Sequence, residues 1–139
     1  MTTFVKRLTE TARLPTRGTP GSAGLDLYAD EDTRIEPWSW RKVSTGIAVA
    51  IPPPLAGLVW PRSGVAERLG VTTDAGVIDA DYRGELKVLL VNLSDNPWDI
   101  SPGMRIGQLL IQPVFPHITE VDELPDTERG ASGFGSTGA

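Results

Sequence analysis

Cysteine is absent from this chain of 139 residues. Its absence excludes a disulfide framework, a thiolate nucleophile and a Cys-ligated zinc site. Histidine occurs once, as His117, which excludes a His-cluster metal centre and argues against a Ser-His-Asp triad. His117 follows Pro116 near an expected strand end and reads as structural. Positive charge is also scarce, with 13 Lys and Arg against 18 Asp and Glu and a formal net charge of −5. A protein that grips polymeric nucleic acid normally carries a basic excess, so DNA and RNA are not the expected partners. A small polyphosphate needs only a local cluster of donors and is compatible with this balance. No apolar run reaches membrane-spanning length, and the stretch from Met1 to Arg7 lacks the apolar centre of a signal peptide. The expected location is therefore the cytoplasm.

What the chain does have is backbone punctuation, with 15 Gly and 12 Pro against a 40% hydrophobic fraction. Such a load breaks long helices and suits many short strands joined by turns. The length fits one domain, which buries roughly 70% of its unfolded surface. A short strand is expected within residues 4–16, then a turn-rich stretch to Gly24 and an apolar segment from Leu25 to Tyr28. Val43 to Ile51 reads as a strand stopped by Pro52, and Leu55 to Trp60 as a second stopped by Pro61. The one helix candidate, Gly64 to Gly70, has about two turns. Val71 to Asp81 reads as a hairpin arm turning near Asp74-Ala75-Gly76. Further strands are expected at Glu85 to Asn92, Trp98 to Ile100 and Ile106 to Phe115. This pattern predicts an all-β sandwich or barrel over residues 1–124. Residues 125–139, rich in Gly, Ser and Thr, have the composition of a flexible tail.

Three segments carry candidate chemistry. In Pro61-Arg62-Ser63-Gly64-Val65-Ala66 a guanidinium and a hydroxyl sit where the chain turns into the short helix. That arrangement suits a phosphate, although Ser63 could equally serve only as a helix cap. In Gly76-Val77-Ile78-Asp79-Ala80-Asp81-Tyr82-Arg83-Gly84-Glu85 a carboxylate at a strand end can take a proton from water. The plainer reading is a turn residue or an ion pair with Arg83, and alternation alone does not choose between Asp79 and Asp81. The tail places Arg129, a glycine-flanked Phe134, Ser136 and Thr137 together. A cation, an aromatic plate and hydroxyls are the parts of a lid over a flat, charged ligand, while the plainer reading is a frayed terminus. Gly133 to Gly138 formally matches G-x-G-x-x-G, but the strand before it and the helix after it are missing, so a dinucleotide fold is the wrong conclusion. Metal chemistry is limited to carboxylate and phosphate oxygen, which suits a hard ion such as Mg²⁺. Trp38, Trp40, Trp60 and Trp98 read as core or interface aromatics.

Taken together, five ordered segments resemble the motifs of the trimeric dUTP pyrophosphatases. They are Ala23-Gly-Leu-Asp26-Leu, Pro61 to Ala66, Gly76 to Gly84, Arg105-Ile-Gly-Gln108-Leu and Arg129 to Gly138. Each is weak alone; all five in order, across residues 21–138, are specific. The resemblance implies a jelly-roll-like β-clip fold, a homotrimer with active sites shared between subunits, and hydrolysis of dUTP to dUMP and pyrophosphate by attack on the α-phosphorus. That reaction limits uracil incorporation into DNA and supplies dUMP for dTMP synthesis. By the resemblance, Asp79 is the general base and Asp26 holds Mg²⁺ through water. Arg62, Ser63 and Gly64 bind phosphates, and Gln108 is a polar contact beside them. Tyr82 packs under the deoxyribose and rejects a 2′-hydroxyl. Gly76 and Ile78 line the arm that reads uracil, largely through backbone groups. Arg129, Gly135, Ser136 and Thr137 grip the outer phosphates and Phe134 stacks on uracil. Two alternatives share the scaffold: a dCTP deaminase, opposed by the intact Asp79 to Gly84 segment, and a catalytically silent nucleotide binder, opposed by Asp79 and the complete tail. Trp60, bulkier than expected before Pro61, has no role in this reading.

Overall fold

The computed structural model describes residues 1–135 and 138. Eleven strands and one helix follow in chain order: β1 (Phe4–Arg7), β2 (Thr16–Arg17), β3 (Leu25–Tyr28), β4 (Thr33–Ile35), β5 (Trp40–Ala50), β6 (Leu55–Trp60), α1 (Ser63–Leu69), β7 (Val71–Asp74), β8 (Val77–Ile78), β9 (Glu85–Asn92), β10 (Trp98–Ile100) and β11 (Arg105–Pro113). They form a four-stranded sheet in the order β1-β5-β9-β7, a five-stranded sheet in the order β2-β3-β11-β6-β8, and a two-stranded pair β10-β4. Every strand pairing is antiparallel. Such sheets bury one face each, which is why β9 alternates so regularly: Leu86, Val88 and Leu90 point inward while Lys87 stays exposed. Val43, Ile47, Leu86, Val88 and Leu90 of the first sheet join Leu27, Val59, Ile78, Ile106 and Leu109 of the second in a single core. The expected all-β sandwich is therefore the observed architecture.

Helix α1 ends as its sequence requires. Gly70 adopts the left-handed conformation (φ 65°) and its N–H bonds back to the Ala66 carbonyl. Its start differs from the capping alternative: Arg62 occupies the cap position, no side chain caps the helix, and Ser63 is exposed as the first helical residue.

One expectation needs correction. Val71 to Asp81 is not a hairpin. The turn at Ala75 and Gly76 is present, but β7 pairs with β9 in the first sheet and β8 pairs with β6 in the second. Sequence alternation marks both strands without saying which neighbour each takes. The tryptophans differ from one another. Trp98 packs against the core, whereas Trp38, Trp40 and Trp60 are 66%, 65% and 55% exposed in the single chain. Trp38 is held at the surface by its indole N–H, which donates to Asp95 at 2.9 Å. Strand β4 was not foreseen, because Thr33-Arg34-Ile35 is too short to show a period; it is fixed by β10, where Arg34 grips Asp99 through two hydrogen bonds of 2.6 and 2.9 Å. Those hydrogen bonds hold the Asp99 carboxyl below its ordinary value. Among the described residues no helix is long and apolar enough to cross a membrane.

Candidate active site

The predicted residues fall into three groups. The first lies on one row of the five-stranded sheet. Cross-strand register pairs Thr16 with Asp26, Asp26 with Gln108, and Gln108 with Trp60, so these four side chains share one face across β2, β3, β11 and β6. Just beyond Trp60 the chain turns at Pro61 into Arg62. The Arg62 Nε–H donates to Asp26 Oδ1 at 2.9 Å, with side chains 29% and 15% exposed, and Arg105 Nη1 stands 3.6 Å from Asp26 Oδ2. The Gln108 amide donates to the Pro61 carbonyl at 3.0 Å, fixing that turn against β11. Ser63 and Gly64 follow directly. This group is a cationic ledge with one well-anchored carboxylate. Arg105 was assigned no role from the sequence, although it opens the fourth motif; its contact with Asp26 depends on the irregular register between Arg105 and Gly107 in β11.

The second group forms around the β7–β8 turn. A pocket of about 450 Å³ is lined by Ala75, Val77, Ile78, Asp79 and Tyr82 from this segment, and by Lys42, Glu85 and Lys87 from β5 and β9. Gly76 makes the turn feasible. Its carbonyl accepts the Val59 N–H at 2.7 Å, and a Cβ at this position would lie 2.4 Å from the Val59 carbonyl oxygen. Asp79 comes immediately after β8, exposed, and its carbonyl accepts the Tyr82 N–H at 3.1 Å. This closes a turn with the exposed Asp81 among its central residues, and of the two carboxylates it is Asp79 that lines the pocket. The ion-pair alternative fails as well: Arg83 donates to the Ala80 and Tyr82 carbonyls. The Tyr82 hydroxyl donates to the Glu85 carbonyl at 2.9 Å, and its ring lies so close to Gly84 that a Cβ there would meet the hydroxyl at 2.4 Å. Tyr82 is thus a fixed plate, 44% exposed, beside Asp79.

The third group is the tail. Arg129 donates to the Ser132 carbonyl at 2.7 Å and Phe134 is fully exposed. Neither reaches Asp26 or Asp79 within this chain, and Gly135 is likewise exposed. Ser136 and Thr137 lie outside the described residues. His117 is exposed and lines an apolar cavity of about 570 Å³ that also includes Asp79.

The donor set bears on metal binding. Among the described residues no group of three or more His, Asp or Glu could cage an ion. Asp26 already faces two guanidinium groups. The described residues of the single chain offer no direct chelate, whereas a hydrated Mg²⁺ carried by a polyphosphate and touched through water by one carboxylate is compatible with these residues.

Against this geometry, the comparisons with known proteins are decisive. The family model described as dUTPase matches residues 10–138. The chain belongs to the dUTPase family. A deoxyuridine 5′-triphosphate nucleotidohydrolase of Paramecium bursaria Chlorella virus 1 is 47% identical over 136 residues, covering 97% of this chain and 96% of the viral protein. That of Clostridium kluyveri is 46% identical over 141 residues, covering 99% of both. Among solved structures, the dUTPase of Staphylococcus bacteriophage 80alpha with dUpNHpp superimposes with a TM-score of 0.92 at 32% identity, covering 99% of both chains. A mutant dUTPase from phage phi11 of S. aureus, whose structure gives the coordination of a structural Mg(II) ion, has a TM-score of 0.83 at 27% identity. For a dUTPase-family chain, the separation of the Asp26 ledge from the Asp79 pocket becomes the central fact to explain.

Proposed function

We propose that this chain hydrolyses dUTP to dUMP and pyrophosphate, with Asp79 as the general base, in sites completed by neighbouring subunits of a homotrimer. The observation that carries the reading is the placement of Asp79 between a fixed Tyr82 plate and the Gly76 to Ile78 backbone, in a pocket large enough for a nucleoside. The Ile78 and Gly76 backbone forms the wall that reads uracil. Tyr82 supports the deoxyribose and leaves no room for a 2′-hydroxyl. The Asp79 carboxylate takes the proton of a water as its oxygen attacks the α-phosphorus; the bond from that phosphorus to the α,β-bridging oxygen breaks and pyrophosphate leaves. Phosphoryl chemistry of this kind depends on positioning and charge neutralisation. Arg62, Ser63, Gly64 and Gln108 supply those parts at the ledge. Mg²⁺, when bound, neutralises the triphosphate, and Asp26 would hold it through water.

Within one chain the Asp79 pocket is lined by neither Asp26, Arg62 nor Gln108, nor by any described residue of the tail. A whole site therefore calls for the ledge and tail of other copies, with Arg129, Gly135, Ser136 and Thr137 on the outer phosphates and Phe134 on uracil. The setting proposed is the cytoplasm, where the free deoxynucleotide pool is met. The direct test is pyrophosphate release from dUTP with Mg²⁺, alongside dCTP. Release from dUTP without ammonia from dCTP is the expected result. No release from dUTP would overturn the proposal, and ammonia from dCTP would favour the deaminase alternative.

A further inference from the structure

Lys42 lies far from the five motifs in sequence and Lys87 just past the third, yet both line the pocket that holds Asp79 and Tyr82. Register explains how. In the β5–β9 ladder Lys42 pairs with Leu89 and Ser44 with Lys87, so the two ammonium groups occupy diagonal positions on one outward face. They are not equivalent. Lys87 Nζ is 3.5 Å from Glu85 Oε2, while Glu85 Oε1 accepts the Gly46 N–H at 3.0 Å, so that pair is tied to the bulge of β5. Lys42 is exposed and has no acidic partner among the described residues. With Lys87 and Glu85 cancelling, the pocket is left with one carboxylate, Asp79, and one cation unmatched by any group of its own wall.

From this juxtaposition we propose that Lys42 is a specificity-determining residue of the nucleotide pocket. Its ammonium group selects the polyphosphorylated nucleotide over the bare nucleoside by charge. This inference rests on the dUTP reading above. A lone cation beside a general base has no use for a neutral ligand, but it raises the local concentration of an anion and favours its retention. Lys42 stands opposite Leu89 in the ladder and lines the pocket.

The experiment uses the full-length protein and separates charge from shape. Turnover of dUTP by the unaltered protein comes first and tests the underlying reading on its own. The KM for dUTP, and the competitive inhibition constant of uncharged deoxyuridine, are then measured for the unaltered protein, Lys42→Met and Lys42→Arg. At low ionic strength Lys42→Met should raise the KM for dUTP about three- to fivefold, the scale of an exposed ion pair. Its kcat and its deoxyuridine constant should stay unchanged, and the difference should fade in high salt. Lys42→Arg should restore the KM. A KM that moves by less than about 1.5-fold, below that ion-pair scale, overturns the proposal. Equal weakening of dUTP and deoxyuridine also overturns it, because it would mean that Lys42 only shapes the wall. A Lys42→Met protein whose sedimentation shows a changed assembly would overturn it too, assigning the residue to subunit packing.

Discussion

Asp26 accepts the Arg62 guanidinium at 2.9 Å across 36 positions of sequence, joining the first and second motifs. The pair is mostly shielded, so removing the carboxylate leaves a partly buried cation without its partner. Asp26→Ala should therefore lower stability by about 1–3 kcal/mol, the cost of an unsatisfied polar partner, as read by denaturant unfolding. Because Asp26 would meet Mg²⁺ only through water, the protein without nucleotide should bind the ion weakly and nucleotide should recruit it. Tight stoichiometric Mg²⁺ binding in calorimetry without nucleotide would contradict this arrangement.

Asp79→Asn keeps the shape of the pocket wall and loses the base. It should bind a non-hydrolysable dUTP analogue normally while its kcat falls by roughly 10²-fold or more, the usual scale for loss of a general base. Near-normal turnover would remove Asp79 from the mechanism.

Tyr82 offers a finer division. Tyr82→Phe loses only the hydroxyl's bond to the Glu85 carbonyl and should cost about 0.5–1.5 kcal/mol of stability, with the dUTP-to-UTP preference kept. Tyr82→Ala removes the plate, and the kcat/KM ratio for dUTP over UTP should narrow. If overall activity drops in Tyr82→Ala and the ratio stays fixed, the ring is purely structural.

Gly76→Ala puts a methyl group 2.4 Å from the Val59 carbonyl oxygen, a backbone atom that cannot swing aside. The strand must shift, at about 1–3 kcal/mol for a forced repacking. Activity should fall further than the stability loss accounts for, because the shift moves Asp79. A variant with unchanged melting temperature and turnover would show that the turn has slack.

Much of this was legible beforehand for physical reasons. Strands β6, β9 and β10 fall within one residue of expectation because Pro52, Pro61 and Pro97 punctuate them and their apolar content is strong. Asp26, Arg62 and Gln108, singled out from separate motifs, lie together at one face of the five-stranded sheet. What escaped was pairing. Nothing in Val71 to Asp81 says that its two halves join different sheets, and nothing in β5 alone says that Lys42 will stand beside Asp79. Those are long-range register facts that alternation does not encode. Which tryptophan joins the core is a related matter: composition tells how apolar a residue is, not what will cover it.

Sharing of sites between subunits has its own test. The Asp79→Asn protein and a chain cut after Pro125 should each be inactive. Unfolded together and refolded as an equal random mixture, they should regain about a quarter of full activity, since one site in roughly four then pairs a good Asp79 with a good tail in a closed ring. Mixed trimers confirmed by mass spectrometry that remain inactive would place Asp79 and the tail of each site on the same chain.

The division of β7 and β8 between two sheets also constrains how this protein can change. Most surface turns absorb an added or deleted residue, because only one pair of strands must readjust. Here each end of the Ala75–Gly76 turn is locked to a different ladder, at Asp74 opposite Leu89 and at Val77 opposite Leu58. A length change has nowhere to dissipate. It would slide β8 along β6 and carry Asp79 with it, so this pocket tolerates changes of side chain but not of the residue count through the turn.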